Sequence, residues 1–88
     1  MLIEKIGIPA MLEQTAEECT ELAQACLKLA RHHRGENPTF KDESDLIDNL
    51  HEEVADVILC LDELTLDEGQ LDAFIGYKKD RMRERFKE

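Results

Sequence analysis

The chain has 88 residues, of which 42% are hydrophobic and 36% charged, and this composition is typical of a single globular domain spanning residues 1–88. Twenty-one acidic residues against eleven basic ones give a formal charge of −10, which argues against nucleic-acid polymers and anionic membranes as partners. A fold of this size hides only about 60% of its unfolded surface, so we expect a homo-oligomer.

The sequence contains no sign of export or membrane insertion. No segment approaches the roughly 20 consecutive apolar residues that span a bilayer, and acidic Glu4 stands where a secretory signal would be basic. We therefore expect a cytoplasmic protein. The three cysteines, Cys19, Cys26 and Cys60, form no C-x-x-C pair, which favours reduced thiols over a disulfide framework or a structural zinc site.

Apolar residues recur at helical spacing, and no segment alternates as a strand does. After a short apolar N-terminal arm, the first helix is predicted over about residues 10–33, with Pro9 in its first turn and Gly35 just beyond its end. Its predicted apolar stripe consists of Leu12, Ala16, Cys19, Ala23, Cys26 and Ala30.

The second helix is predicted over about residues 45–65, with Ser44 as its N-cap. Its apolar stripe consists of Leu46, Leu50, Val54, Val57, Leu61 and Leu64. A turn at residues 67–69 leads to a third helix, whose apolar residues are Leu71, Phe74, Ile75, Met82 and Phe86. The sequence thus predicts an all-α fold: a bundle of three main helices per chain, completed into a four-helix-type bundle by homo-oligomerisation.

Charge is divided unevenly between the second and third helices. Residues 42–68 contain eleven acidic residues and no lysine or arginine, whereas the third helix carries six basic residues: Lys78, Lys79, Arg81, Arg83, Arg85 and Lys87. One interpretation is a solvated acidic helix that pairs loosely with a basic one.

Two pairs of acidic residues favour a more specific interpretation. Glu18 with Glu21, and Glu53 with Asp56, are each three residues apart, so each pair projects from one side of its helix on adjacent turns. Glu53 also falls within about 20° of the line through the apolar stripe of the second helix. Each pair therefore lies at the margin of an apolar stripe.

Carboxylates this close destabilise one another when partly desolvated, unless a proton or a cation intervenes. Two facing pairs would offer four hard oxygen ligands, which suit Mg²⁺ or Mn²⁺, and no Glu-x-x-His motif of the di-iron type occurs. On the third helix, Lys78 occupies an apolar position, with Arg81 and Arg85 following. These cations are predicted to be phosphate ligands, although snorkelling or salt bridges would also explain them.

These motifs resemble a known family. Glu17-Glu18-x-x-Glu21 followed by Glu53-x-x-Asp56 is similar to the E-E-x-x-E and E-x-x-D signature of the all-α nucleoside triphosphate pyrophosphohydrolases, specifically MazG-like proteins. Residues 34–39, 49–57 and 78–82 are similar to short, phage-type or bacterial members. The resemblance covers about residues 10–86.

The resemblance implies a dimer, or a dimer of dimers, that hydrolyses a nucleoside triphosphate to the monophosphate and pyrophosphate with Mg²⁺. By motif position, Glu18, Glu21, Glu53 and Asp56 would be the metal ligands, and Glu17 would support them or position the attacking water. Lys78, Arg81 and Arg85 would hold the phosphates. The chain departs from many members in the 31 residues between its two acidic motifs and in Met82, which stands where an asparagine is common.

Other functions remain open at the level of the sequence. The acidic pairs could be surface charge on a helical interaction or adaptor module, and a phosphoribosyl-ATP pyrophosphohydrolase would share the same chemistry. Tyr77, Phe74 and Phe40 are the aromatic candidates for a base pocket, and the segment from Gly35 through Asn37 to Phe40 is a candidate lid. Either Glu17 or Glu52 could accept a proton from water.

Overall fold

The computed structural model describes residues 1–36 and 42–87. All regular structure in these residues is helical, in the order α1 Leu2–Ile6, α2 Ile8–His33, α3 Glu43–Leu64 and α4 Glu68–Arg85. The all-α prediction and its three main helices are confirmed, and the N-terminal arm forms the additional short helix α1. None of the described helices is long and apolar enough to cross a membrane. Asn37 and Phe40, assigned to a lid, lie outside the described residues.

The C-terminus of α2 ends as the sequence predicts. Gly35 has a φ of 74°, a left-handed conformation that costs glycine little. Its N–H donates to the carbonyl of His32 at 3.1 Å, and the N–H of Glu36 donates to the carbonyl of Arg31 at 3.0 Å. This pair of hydrogen bonds is a Schellman motif, which satisfies the last carbonyls of the helix.

The predicted starts of the next two helices are each about two residues too late, since α3 begins at Glu43 and α4 at Glu68. Asp42, and not Ser44, occupies the N-cap of α3, so Ser44 lies within the first turn. Asp67 caps α4 by accepting a hydrogen bond from the N–H of Gln70 at 2.8 Å. The connection therefore lies before Asp67, at Thr65, which has a φ of 47°. A positive φ is unusual for a β-branched residue.

The body of the fold is the antiparallel pair α2 and α3. Its buried core consists of Met11, Ala25, Leu46 and Cys60. At the end of the pair, Nε2 of His33 lies 2.9 Å from a carboxylate oxygen of Glu43, which joins the end of α2 to the start of α3. Helix α1 packs on both members of the pair at the opposite end.

The apolar stripe predicted for the first helix does not face the core. Leu12, Ala16, Cys19, Ala23 and Cys26 are exposed and Ala30 is half-buried, because a neighbouring row that contains Met11, Leu22 and Ala25 faces α3 instead. On α3, Leu46 is buried and Leu50, Val57 and Leu64 are half-buried, but Val54 and Leu61 are exposed. Both helices carry apolar residues on two adjacent sides, and periodicity alone does not select between them.

Helix α4 extends away from the rest of the chain. Within the described residues, it packs against none of the other helices, and all of its residues are exposed. The radius of gyration is 16.6 Å, whereas a compact chain of this length would have about 12 Å. Lys78, predicted to lie on an inward stripe, is exposed because nothing in the described chain covers α4.

Candidate metal centre

Three of the four predicted metal ligands meet at the middle of the α2–α3 pair. Glu18 comes from α2, and Glu53 and Asp56 come from adjacent turns of α3. One carboxylate oxygen from each lies within 4.8 Å of the others. Glu18 and Glu53 are half-buried between the helices, whereas Asp56 is exposed. We call these three residues the carboxylate cluster.

The two inner carboxylates are incompletely hydrogen-bonded. Oε2 of Glu18 and Oε2 of Glu53 are both buried and have no hydrogen-bond partner among the described residues. The other oxygen of Glu18 accepts a hydrogen bond from Nε2 of Gln14 at 2.9 Å. Because a buried oxygen without a partner is costly, the cluster has capacity for a proton or a cation.

The electrostatics of the cluster also favour neutralisation. Burial raises the pKa of Glu53 above its ordinary value, and the negative charges of Glu21, Asp56 and Glu18 raise it further. Burial is likewise the largest cause that raises the pKa of Glu18, followed by the charges of Glu21 and Asp56, while the hydrogen bond from Gln14 opposes the shift. Both carboxyl groups are therefore held in an environment that disfavours their charged forms.

The remaining predicted acidic residues lie around the cluster. Glu21 is exposed and does not belong to the group of three, but its charge acts on both Glu18 and Glu53. Glu17 is exposed and contributes a smaller repulsion to Glu18. The structure therefore brings Glu21 to the edge of the cluster and leaves Glu17 outside it.

The predicted phosphate ligands are not brought to the cluster within one chain. Lys78, Arg81 and Arg85 all lie on α4, which does not pack on α2 or α3. The guanidinium carbon of Arg81 stacks 5.8 Å from the centre of the Tyr77 ring on the same helix. Phe74, another candidate for the base pocket, is 57% exposed on α4. These cations and aromatic residues form a separate surface.

A cavity that the sequence analysis missed opens beside the cluster. Its volume is about 420 Å³, and it lies between α1, α2 and α3. Glu18 and Asp56 line it together with residues that are mostly apolar. The lining residues are Leu2, Ile6, Met11, Gln14, Glu18, Asp56, Leu59, Cys60 and Glu63.

Helix α1 lines part of this cavity through Leu2 and Ile6, and Glu63 binds the first turn of the helix. One carboxylate oxygen of Glu63 accepts hydrogen bonds from the N–H of Leu2 and, at 3.3 Å, from the N–H of Ile3. These donors have no partner within α1, since they belong to its first turn. Glu63 thus links α3 to the first turn of α1, which also packs on α2.

The sequence contained spacing signals for two of the missed residues. Gln14 precedes Glu18 by four residues, and Glu63 follows Asp56 by seven, so each shares a side of its helix with a cluster residue. Acidic pairs three residues apart identify the cluster residues but not these two, which lie further along the same sides. The contribution of α1 has no comparable signal, because five residues carry little periodicity.

The raised pKa of Glu53 predicts a specific dependence of stability on pH. Because the unfolded chain releases this proton near the ordinary value of 4.5, the folded state holds more protons above that pH, and its stability falls as pH rises. Glu53→Gln removes this effect. In chelator, we expect the melting temperature of Glu53→Gln minus that of the wild type to grow between about pH 4 and about pH 7. A difference that stays constant over this interval would contradict the electrostatic assignment.

Comparison with known proteins identified no matching family model, curated protein or solved structure.

Proposed function

We propose that this protein is a Mg²⁺-dependent nucleoside triphosphate pyrophosphohydrolase, which converts a ribo- or deoxyribonucleoside triphosphate to the monophosphate and pyrophosphate. The observation that carries the proposal is the carboxylate cluster, in which two helices bring three carboxylates within 4.8 Å and leave two buried oxygens without partners. The resemblance to the MazG-like signature supplies the reaction.

The residues of the cluster fit a hard divalent cation. Glu18, Glu53 and Asp56 would hold the ion, with Glu21 at the edge of the site, and their oxygen atoms are the donors that Mg²⁺ and Mn²⁺ prefer. Because Asp56 is exposed, one side of the cluster is open to water and substrate. A bound Mg²⁺ would neutralise phosphate charge and lower the pKa of a coordinated water.

Two exposed carboxylates outside the cluster could accept the proton of the attacking water. Glu17 and Glu52 each precede a cluster residue by one position and face solvent. Glu17 is the nearer of the two to α2's cluster residue, since it directly precedes Glu18 in sequence and its charge contributes to the raised pKa of Glu18. A carboxylate in this position, free of the metal, would be suited to general-base catalysis.

The cavity beside the cluster offers a site for the nucleoside. Its apolar lining residues, such as Ile6 and Leu59, suit the face of a base, and Glu18 and Asp56 of the cluster also line it. Tyr77 and Phe74 lie on α4, away from this cavity of the same chain, so the cavity is the base pocket that we propose within one chain. The phosphate-binding cations of α4 would have to come from another chain, so the proposed enzyme is a homo-oligomer.

The experiment that tests this function is an assay for pyrophosphate release from canonical and modified nucleoside triphosphates, with phosphoribosyl-ATP included. Each substrate is tested with Mg²⁺, with Mn²⁺ and with chelator. We expect release that requires a divalent metal, and the order of rates identifies the preferred base and sugar. Activity with phosphoribosyl-ATP alone would instead identify the more specialised enzyme.

The alternative function, a non-catalytic adaptor, makes a different prediction in the same experiment. An adaptor would release no pyrophosphate from any substrate and would gain no thermal stability from millimolar Mg²⁺. Those two negative results together would reduce the carboxylate cluster to surface charge and overturn the proposed enzyme.

A further inference from the structure

The cavity beside the carboxylate cluster has polar lining residues that the cluster does not include. Glu18 and Asp56 belong to the cluster, where their oxygens lie close enough together to hold a cation. Gln14 of α2 and Glu63 of α3 also line the cavity, and both side chains are half-buried. Because these two residues lie outside the group of three, they can contact the organic part of a ligand.

Glu63 has one carboxylate oxygen that its contacts with α1 do not use. The N–H groups of Leu2 and Ile3 both donate to Oε1 of Glu63. An ionised carboxylate accepts hydrogen bonds on both oxygens and has no donor of its own. Glu63 can therefore offer Oε2 to the cavity as an acceptor, on a side chain that α1 already holds in one orientation.

Gln14 also offers an acceptor. Its Nε2 donates to Oε1 of Glu18 at 2.9 Å. Because an ionised carboxylate only accepts hydrogen bonds, the amide nitrogen of Gln14, and not its oxygen, must face Glu18. Oε1 of Gln14 then remains as an acceptor for a ligand.

Hydrogen-bond donors are scarce in the cavity. Of the described residues that line it, none is a lysine, arginine, histidine, serine or threonine. The side-chain donors are the second hydrogen on Nε2 of Gln14 and the weak S–H of Cys60. A carbonyl oxygen placed against the carboxylate of Glu63 would leave both acceptors unpaired and would repel the negative charge. The cavity therefore suits a ligand that brings its own N–H donors.

The nucleobases differ in this property. Cytosine and adenine carry an exocyclic amino group, whereas uracil and hypoxanthine carry a carbonyl oxygen at the equivalent position. Carboxylates accept hydrogen bonds from the amino group of cytosine, and glutamine pairs with the amino group of adenine. The volume of about 420 Å³ lies within the range of small-molecule sites, so the cavity has room for a base of either size.

We propose that Glu63 is a specificity-determining residue, which together with Gln14 selects nucleotides whose base carries an exocyclic amino group. The favoured bases are cytosine and adenine, and the disfavoured ones are uracil and hypoxanthine. The inference rests on the proposed function, because it takes the cavity as the nucleoside site, and it adds the class of base.

Calorimetric titration with nucleoside monophosphates, in the presence of Mg²⁺, tests the preference without requiring turnover. Cytidine monophosphate is compared with uridine monophosphate, and adenosine monophosphate with inosine monophosphate. In each pair we expect the amino-bearing nucleotide to bind about 10-fold more tightly, a difference of about 1.4 kcal/mol. Equal affinities within the pairs, tighter binding of the carbonyl-bearing nucleotide, or no binding of any of the four would overturn the proposal.

Glu63→Gln tests the assignment of the preference to this residue. The variant keeps an oxygen that can accept from the N–H groups of Leu2 and Ile3, and it places an amide donor where Oε2 stood. That donor pairs with the carbonyl of uracil, so we expect the preference for cytidine monophosphate to fall about 10-fold and disappear.

Asp62→Asn is the matched control for this variant. Asp62 is the exposed neighbour of Glu63 and lines a different cavity, so removal of its charge should leave the preference intact. A preference that Glu63→Gln retains in full, or that Asp62→Asn abolishes equally, would show that Glu63 does not determine specificity.

The pyrophosphate assay separates failure of this inference from failure of the proposed function. Metal-dependent release from cytidine and uridine triphosphates at equal rates, with equal binding of the monophosphates, would retain the enzyme and remove the base preference. Selective binding of cytidine monophosphate, without release of pyrophosphate from any triphosphate, would remove the enzyme and retain the base preference.

Discussion

Replacement of Glu53 by glutamine is expected to lower metal-dependent pyrophosphate release by at least about 100-fold, which corresponds to a loss of about 2.7 kcal/mol of transition-state stabilisation. The substitution keeps the shape of the side chain and removes its charge. Oε2 of Glu53 is buried without a hydrogen-bond partner. Water therefore cannot take the place of this oxygen as a metal ligand in the variant. The pyrophosphate assay with purified variants measures the effect.

The same variant is expected to lose its thermal response to Mg²⁺. A ligand present at 100 times its dissociation constant stabilises a protein by about 2.7 kcal/mol, and for a domain of this size that is a rise in melting temperature of about 10 to 20 °C. Glu13→Gln is the matched control, since Glu13 is an exposed glutamate on α2 outside the cluster. If Glu53→Gln retains both activity and the metal response, the carboxylate cluster is not the metal site.

A mixture of two inactive variants is expected to recover activity. Glu53→Gln has a damaged carboxylate cluster and an intact α4, whereas Arg81→Ala has an intact cluster and a damaged α4. If α4 serves the partner chain, a hybrid dimer contains one complete site. With random pairing, half of the dimers are hybrids, so the mixture should recover about one quarter of wild-type activity.

The control for complementation is a mixture of Glu53→Gln with Asp56→Asn. Both substitutions damage the same cluster, so neither chain can supply a complete one and no recovery is expected. Variants are mixed after unfolding and refolded together, and hybrid formation is verified by mass. Hybrid dimers without recovery would show that the cations of α4 do not act on the partner's cluster.

The sequence predicted the elements of this fold better than their arrangement. Helical spacing, Pro9 and Gly35 were sufficient to place α2, because they act through local conformation. The inward side of α2 was assigned incorrectly, since Leu12 and Cys19 are as regularly spaced as the residues that face α3. Which of two apolar sides is buried depends on what packs against each side. This packing is set by tertiary and quaternary structure and not by sequence spacing.

The candidate site was predictable only where the local geometry of one helix determines it. Glu53 and Asp56 share one side of a single helix, so their proximity follows from sequence spacing alone. The approach of Glu18 depends on the register between α2 and α3, which the sequence suggested only through the resemblance. The cavity is lined in part by α1, and Glu63 contacts this helix by accepting hydrogen bonds from the N–H groups of Leu2 and Ile3, the second across 60 residues of sequence.

The left-handed conformation of Thr65 affects how the proposed homo-oligomer would assemble. A glycine at this position would accept a φ of 47° without strain and would also allow many other directions for α4. A β-branched residue is less permissive, so α4 leaves α3 in a restricted direction. In a flexible chain, α4 could fold back against α3. The restriction at Thr65 disfavours such a closed monomer and, in the proposed homo-oligomer, lowers the conformational entropy that the chains lose when they associate.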